Sequence, residues 1–583
     1  MKNDDIASIL EEIGMLLELK GENPFKVRAY ENAARAIQAL TEPVERLLIE
    51  KRLSAVKGIG ESIQKKIEEL VTTGRLAYYE ELKSSIPPGL VEMLNIPGLG
   101  PKKVKALYEK LGVDSIDKLE AVCTSGKVAN LDGFGEKTQI KILQGIAFRR
   151  QYASKHLLIA AQAVAHPIYS KLKQHPDVIQ CSLAGSVRRW KEIIGDIDFL
   201  VSSKKPLKVI EFFTKLDSVQ NIIARGETKA AVILQGGIQA DLRVITESEY
   251  PFALAYFTGS KEHNIVMRQR AIDRGLRLNE YGLFKSTEET RDPALLLPCS
   301  SEEDIYSKLG LCYIPPELRE DRGEFDAAEK GKIPELIDEK ALKGSLHNHS
   351  NWSDGADDLM SIAMHMAKLG LQYWAITDHS KSSPQANGLD SDKLKKQFIE
   401  IKLINEKLKA KGFEFELLTG VEVDILPGGK LDIEDEVLAM ADVVVASLHS
   451  GFSQDEKEIT NRIISAVKNP FVHILGHPTG RLLLEREPYK VDIKAVIDAC
   501  SETGTWIELN AHPSRLDLDW RYWSYAKSKC VKCVINCDAH NLNHVEFLRL
   551  GAGIARKGWL TAADVINTQP LSKLKKLLKS KRS

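Results

Sequence analysis

Two groups of side chains in this sequence have the types and spacing to hold cations. The first is Asp196 and Asp198 in Ile194-Gly195-Asp196-Ile197-Asp198-Phe199-Leu200-Val201, with Asp241 in Ile238-Gln239-Ala240-Asp241-Leu242-Arg243-Val244. Successive side chains of a strand alternate sides, so carboxylates two apart leave one face together, and a third from a neighbouring strand completes an oxygen cage. Hard oxygen donors suit magnesium or manganese. An Asp-x-Asp pair alone is more often a solvated turn. Here Gly185-Ser186 precedes it with backbone and hydroxyl donors for phosphate, and Arg188 can offset phosphate charge. Such a set suits nucleotidyl transfer, in which one divalent ion activates the attacking 3′ hydroxyl and another holds the triphosphate.

The second group is His347, His349, Asp354, His379 (after Asp378), Glu422, His449, His477, Asp538 and His540. A single histidine is ordinarily a hydrogen-bonded structural residue. These, however, close short apolar runs that alternate with helical segments: Gly344 to His347, Tyr373 to Thr377, Phe415 to Val423, Val443 to Leu448, Val472 to Leu475, Trp506 to Leu509 and Cys533 to Asn536. The alternation predicts a β/α barrel, in which strand ends converge on one mouth. Imidazole with carboxylate suits zinc, manganese or iron, and a cluster of such ions orients a phosphate ester and generates hydroxide near neutral pH.

The elements that would bring a substrate to these groups begin at the N-terminus. From Asp5 to about Val128 the chain reads as short amphipathic helices broken three times by an apolar-x-Gly-apolar-Gly loop, at Gly58 and Gly60, Gly98 and Gly100, and Gly133 and Gly135. Glycines let backbone approach closely, and free amides at the following helix start face a phosphate. One copy could simply join two helices. Three copies, the second followed by Lys102, Lys103 and Lys105, resemble the helix-hairpin-helix motif, which binds DNA by shape and charge without reading sequence.

At 583 residues several domains are expected, and 43% hydrophobic with 28% charged residues is an ordinary globular composition. Formal net charge is zero, so bulk electrostatics does not choose a partner. No signal peptide and no run of membrane-spanning length is apparent, which predicts a soluble, cytoplasmic, nucleoid-associated protein with no membrane partner. Eight scattered cysteines do not form a disulfide framework. Cys530, Cys533 and Cys537 are read as core packing rather than a sulfur metal site.

From residue 1 to about 315 the chain resembles the family X DNA polymerases, through the aspartate triad, Tyr256-Phe257-Thr258-Gly259-Ser260, and Gly275-Leu276-Arg277-Leu278-Asn279-Glu280-Tyr281-Gly282-Leu283. The resemblance implies that Tyr256 and Phe257 lie beside the incoming sugar and exclude a 2′ hydroxyl, with Gly259, Asn264 and Arg268 at nucleotide or template contacts. Two departures bear on efficiency: Gln239 replaces an arginine of animal relatives, and Lys261 replaces an acidic residue near the base. Lys66 stands where members with lyase activity keep a Schiff-base lysine, while Ser62 replaces a phosphate-binding lysine; a solvated helix lysine is the favoured reading.

Residues 341 to 570 resemble the polymerase and histidinol phosphatase (PHP) domain, through His347-Asn348-His349, Thr377-Asp378-His379, Gly420-Val421-Glu422, Leu448-His449-Ser450, Gly476-His477-Pro478 and Asp538-Ala539-His540. By that resemblance His347, His349, Glu422 and Asp538 hold one ion, Glu422 with His449 and His477 a second, and Asp354, His379 and His540 a third. Arg481 and Arg515 are read either as phosphate contacts or as surface arginines.

The expected architecture is multidomain α/β. A helical hairpin domain (1–85) and fingers (86–150) precede an α+β nucleotidyltransferase palm (151–245) and a thumb (246–315). A linker (316–340), a distorted (β/α)7 barrel (341–570) and a basic tail (571–583), which either caps the barrel or touches DNA, complete it. The expected function is short-gap DNA synthesis in base excision repair plus 3′ to 5′ exonucleolytic end processing. Magnesium or manganese is expected in the polymerase site, three manganese or zinc ions in the barrel, deoxynucleoside triphosphates as substrate, and gapped or nicked duplex as partner of a monomer. Two rivals make different predictions: a small-molecule phosphatase with a regulatory DNA-binding module incorporates no nucleotide, and a non-catalytic end-binding scaffold shows no metal-dependent chemistry.

Overall fold

The glycine loops sit between helices, as their composition dictates. The computed structural model describes residues 3–38, 40, 42–94, 96, 98–286, 288 and 290–581, so Pro97 of the second loop and the end of the basic tail lie outside the described residues. The chain divides into two compact units, residues 1–153 with 355–358, and 154–354 with 359–583.

The first unit is helical. Its hairpin loops lead into α1 (Glu61–Thr73), α2 (Pro101–Leu111) and α3 (Gly135–Tyr152), which bury residues at helical spacing: Ile63, Ile67 and Leu70, then Val104 and Leu107, then Ile142 and Ile146. In the first two hairpins a left-handed glycine (Gly58, φ 102; Gly98, φ 83) is followed by an extended glycine at the helix N-cap, Gly60 or Gly100. The third departs from that pattern. Gly133 (φ 85) and Gly135 (φ 67) are both left-handed, and Phe134 is the N-cap.

Among the described residues, the second unit carries two large sheets and two two-stranded ones. The smaller of the large sheets runs β1 (Gln180–Leu183), β2 (Asp196–Ser202), β3 (Val219–Arg225), β4 (Lys229–Leu234) and β5 (Gln239–Ile245), in the spatial order β1-β2-β5-β4-β3. A single turn of helix, α4 (Gly185–Arg188), joins β1 to the connection before β2. The β2–β5 pair is parallel; β1, β4 and β3 are antiparallel to their neighbours. After this sheet come α5 (Tyr250–Thr258) and α6 (Lys261–Ile272).

The stretch expected as a linker is instead built into the unit. Leu318, Arg319, Glu324, Ala328 and Ile337 are buried. Glu324 pairs with His263 Nδ1 at 2.8 Å, and Arg319 NH1 donates to Glu302 Oε1 at 2.5 Å. Most of its charged residues are exposed, but Glu317, Arg319 and Glu324 are buried and tie the stretch to the rest of the unit.

Seven parallel strands follow, β6 (Gly344–Ser345), β7 (Tyr373–Ile376), β8 (Glu416–Asp424), β9 (Val443–Ser447), β10 (Ile474–Leu475), β11 (Trp506–Asn510) and β12 (Cys533–Asn536), each hydrogen-bonded to the next. They match the seven apolar runs. The barrel is nearly closed where Asp538 N donates to His347 O at 3.1 Å and His349 N to Ala539 O at 2.8 Å. Three helices of this domain matter here, α7 (Ser391–Ala410), which carries Gln397, α8 (Phe547–Lys557) and α9 (Leu571–Ser580). The basic helix α9 is a cap: Leu574 and Leu578 are buried in one cluster with Tyr373, Val443 and Trp506 of the barrel strands. Cys533 and Cys537 are buried and unbridged, in the apolar core.

Two candidate metal centres

In the small sheet Asp198 lies directly opposite Asp241, and Asp196 opposite Gln239. Carboxylate oxygens of Asp196, Asp198 and Asp241 all lie within 4.8 Å of one another. Burial, with repulsion from Asp196 and Asp241, raises the Asp198 pKa to about 7. Asp241 is raised too, by burial, although Gln239 Nε2 donates to its Oδ2 at 3.0 Å and opposes the shift. Arg189 and Arg243 offset the repulsion only in part, and three crowded carboxylates are a donor set that a divalent cation fits.

Gly185 packs against this triad. Its φ is 58, and a Cβ at this position would fall well inside contact with Asp198 Oδ2. Ser186 Oγ beside it is buried without a hydrogen-bond partner. Arg188, expected to face phosphate, is engaged elsewhere: NH1 and NH2 hold Glu302 at 3.0 and 2.6 Å, and NH1 donates to Thr258 Oγ1 at 2.6 Å.

Tyr256 and Phe257 end α5 with rings edge to face, centroids 5.2 Å apart. They face different spaces. Tyr256 lines a cavity with Asn264, Arg268 and Asn279, whereas Phe257 lies under Arg243, 4.6 Å from its ring centroid, beside a groove with Lys204, Tyr281 and Arg291. Asn264 Nδ2 donates to Tyr256 O (2.7 Å) and Gly259 O (3.2 Å), fixing the turn; a Cβ at Gly259 would overlap Asn264 Oδ1. Arg268 and Lys261 are exposed on α6.

In the helical unit, a Cβ at Gly60, Gly98, Gly100, Gly133 or Gly135 would meet nothing within 4 Å, so these backbones are open to a close partner. Lys102 is well exposed, with Glu18 at 3.7 Å. Lys66 Nζ donates to Ser62 Oγ at 3.2 Å and lies 4.8 Å from the Tyr78 ring centroid.

At the barrel mouth the nine expected ligands come together. Donor atoms of His349, Asp354, His379 and His540 form one group within 4.8 Å of one another; His347, His349 and Glu422 form another, and His379, Glu422 and His449 a third. His477 Nε2 is 3.0 Å from Glu422 Oε1, and Asp538 Oδ1 is 3.1 Å from His349 Nε2. The grouping differs from the expected sets in that His349 and His379 each belong to two groups, while His477 and Asp538 stand beside the groups rather than within one. His347 Nε2, His349 Nδ1, His477 Nδ1 and Glu422 Oε2 are buried without a hydrogen bond. Lone pairs converging in a buried mouth fit divalent cations.

The electrostatics agree. Burial opposes charge on Glu422 and Asp538, yet the surrounding histidines outweigh it and hold both carboxyls well below the usual range. Burial likewise opposes the imidazolium of His449 and His540, but Glu422 with Asp424, and Asp354 with Asp538, raise them to about 10 and about 9.

Several functional side chains were not singled out in the sequence. Glu508 is fully buried and accepts from His347 Nδ1 (2.7 Å), Asn536 Nδ2 (2.9 Å), His477 N (2.6 Å) and Asn510 Nδ2 (3.2 Å). Asp424 Oδ1 accepts from His449 Nδ1 at 2.9 Å, and Asn510 Nδ2 donates to Asp538 Oδ2 at 3.0 Å. Such partners fix ligand tautomer and orientation. Asp378 is buried under Ser350, Ser353 and Gln397, so it shapes the mouth rather than lining it. A charged residue inside an apolar strand, as Glu508 is, was the available signal.

The two arginines separate. Arg481 is buried, donating from NH1 to Asp519 Oδ2 (2.6 Å) and from Nε to Arg515 O (2.8 Å). Arg515 Nε instead stands 3.5 Å from Asp538 Oδ2, partly exposed at the mouth.

The chain matches the helix-hairpin-helix domain over residues 1–76, the SAM-like helix-hairpin-helix tandem over 90–147, the DNA polymerase beta thumb over 253–320 and the PHP domain over 345–512. Over 582 residues it is 40% identical to the DNA polymerase/3′-5′ exonuclease PolX of Bacillus subtilis (strain 168), covering 99% of this chain and 100% of that protein. A probable phosphatase of Thermoanaerobacter sp. (strain X514) is 32% identical over 247 residues, 40% of this chain and 94% of the relative. The solved Leishmania infantum polymerase beta ternary complex is 24% identical, covering 40% of this chain and 99% of that one, with a TM-score of 0.27. Among the described residues no helix is long and apolar enough to cross a membrane.

Proposed function

The chain belongs to the family X DNA polymerases that carry a C-terminal PHP domain, and from that premise we propose that it fills short gaps in duplex DNA and trims 3′ ends at a separate hydrolytic centre. It is a DNA polymerase and 3′ to 5′ exonuclease that uses divalent metal and takes deoxynucleoside triphosphates. One observation carries the reading: two distinct donor clusters on a chain whose whole length aligns with a polymerase/exonuclease. The phosphatase reading draws support from relatives that match 40% of the chain or less.

In the synthetic centre Asp196, Asp198 and Asp241 would hold magnesium or manganese, with Gln239 orienting Asp241. Gly185 and Ser186 offer backbone and hydroxyl donors to the triphosphate, while Arg188 braces the cradle through Glu302 and Thr258. Tyr256, Gly259, Asn264 and Arg268 form the nucleotide side, with Phe257 supporting from below. In the barrel, His347, His349, Asp354, His379, Glu422, His449, His477, Asp538 and His540 would hold up to three manganese or zinc ions. Bound cations at either centre neutralise phosphate oxygens, and in the barrel they also make a water acidic. Glu508 and Asp424 keep His347 and His449 in the tautomer that presents a bare nitrogen, and Arg515 meets the phosphate.

The hairpin glycines Gly58, Gly60, Gly98, Gly100, Gly133 and Gly135, with Lys102, take the DNA backbone without sequence preference. Lys66, stacked over Tyr78, is assigned to the helix surface rather than to Schiff-base chemistry. We retain the division into hairpin domain (1–85), fingers (86–150), palm (151–245), thumb (246–315) and barrel (341–570), in a cytoplasmic monomer acting in base excision repair. The test incubates the full chain with an end-labelled gapped duplex and manganese, with and without nucleotides. Asp196→Ala should lose extension alone and His349→Ala trimming alone; variants indistinguishable from the parent would overturn both assignments.

A further inference from the structure

The connection between the phosphate cradle α4 and the first aspartate of β2 turns its side chains toward the barrel domain. Lys557, fully buried at the end of α8, donates from Nζ to Arg189 O (2.9 Å) and Glu320 Oε1 (2.7 Å). Arg189 Nε donates to the same Glu320 oxygen at 3.0 Å, and its NH1 to Thr258 O at 2.8 Å. Trp190 has φ 55. A bulky residue persists in that region only where its surroundings over-determine it. The surroundings are α8: at Gly553 any Cβ would fall well inside contact with the Trp190 ring. Glu192, buried, accepts from Trp520 Nε1 at 3.0 Å and Arg521 NH1 at 3.4 Å.

We propose that the barrel domain is the back wall of the synthetic centre, with Gly553, Lys557 and Trp520 as positioning residues for nucleotidyl transfer. They act through the Arg189–Glu192 turn on the Gly185–Ser186 cradle and its distance from Asp196 and Asp198. This rests on the assignment of that cradle to the triphosphate. The transmission is short: α4 is a single turn, Arg189 is its C-cap, and Lys191 N donates to Ser186 O at 3.0 Å. A shift of Trp190 therefore moves the cradle. Because the cradle holds the triphosphate before and during reaction, the loss should appear chiefly in KM.

The experiment uses Gly553→Ala in the full chain. The added methyl presses on the indole, while alanine within a helix favours folding. Steady-state KM and kcat for the complementary nucleotide at a one-nucleotide gap are compared with manganese-dependent trimming by the same preparation. Misplacement by about 1 Å can cost up to about 10²-fold, so we expect KM to rise about tenfold, with kcat less affected and trimming within about twofold. In a Trp190→Ala background, Gly553→Ala should add nothing further, because its target ring is gone. A KM within about twofold of the parent, or a rise that persists without the Trp190 ring, overturns the proposal. Extension retained by Asp196→Ala would instead remove the site assignment beneath it.

Discussion

Glu508→Gln separates an orienting carboxylate from a space-filling one. All four partners of Glu508 are donors: His347 Nδ1 and Asn536 Nδ2 on Oε1, His477 N and Asn510 Nδ2 on Oε2. Glutamine keeps the shape but offers one oxygen and one amino group, so in either orientation two donors face an NH2. Hydrogen bonds to a charged group contribute about 1.5–3 kcal/mol each, so two lost bonds cost on the order of 3–6 kcal/mol. Asn510 could turn its amide to relieve one clash, but it would then lose its bond to Asp538 Oδ2 at 3.0 Å. The penalty moves rather than disappears.

Loss of such a partner typically weakens metal binding by about 10–100-fold. The assay is calorimetric titration of manganese into metal-stripped protein, together with the manganese dependence of 3′ trimming. Gap extension by the same preparation reports that the remainder of the protein is folded. Manganese affinity and half-saturation within twofold of the parent would refute the orienting role, since no rearrangement of an amide can accept all four donors.

Gly185→Ala should lower extension by about 10²-fold, because its Cβ collides with Asp198 Oδ2 at φ 58, while trimming is retained; undiminished incorporation in a primer-extension gel would contradict the close packing of cradle and triad. Arg481→Ala should cost about 1.5–3 kcal/mol in urea unfolding, because Asp519 loses one of its two arginine partners and keeps only Arg521; a loss below about 1 kcal/mol would mean that Arg481 is not a structural clamp. Burial, opposed by Glu320, lowers the Lys557 pKa from 10.5 to about 8. Between those values the unfolded chain binds more protons than the folded one, so this residue makes stability rise with pH across that window. Lys557→Met should remove that slope in urea titrations, and parallel curves for parent and variant would refute it.

Much of both centres was legible because the chemistry lies on regular elements. Alternation along β2 places Asp196 and Asp198 on one side, and a parallel neighbour sets Asp241 beside them. Ligands at strand ends gave away the barrel, since parallel strands in a β/α barrel share one mouth. What escaped was whatever depends on partners distant in the chain. The 316–340 stretch looks solvated because its acids and bases are charged, and only the fold pairs Arg319 with Glu302 and Glu324 with His263. The third hairpin repeats the glycine spacing of the first two, yet Gly135 takes φ 67 where Gly60 and Gly100 are extended. Spacing alone does not fix φ.

Arg481 and Arg515 show the same limit at one site. Both are arginines in loops beside barrel strands, with equal claims on a phosphate. Arg481 is surrounded: Asp519 and the carbonyls of Arg515 and Leu516 take its donors, so moving it onto a ligand would cost Asp519 one of its two arginine partners, Arg521 being the other, and leave both carbonyls unmet. Those same bonds fix the backbone of the loop that carries Arg515. Among the described residues the one ion pair of Arg515 is with Asp538, at 3.5 Å. An arginine held by its backbone, with its guanidinium partly exposed beside Asp538 at a mouth of carboxylates and imidazoles, is the one able to meet an incoming anion, and the buried arginine fixes the loop that carries it.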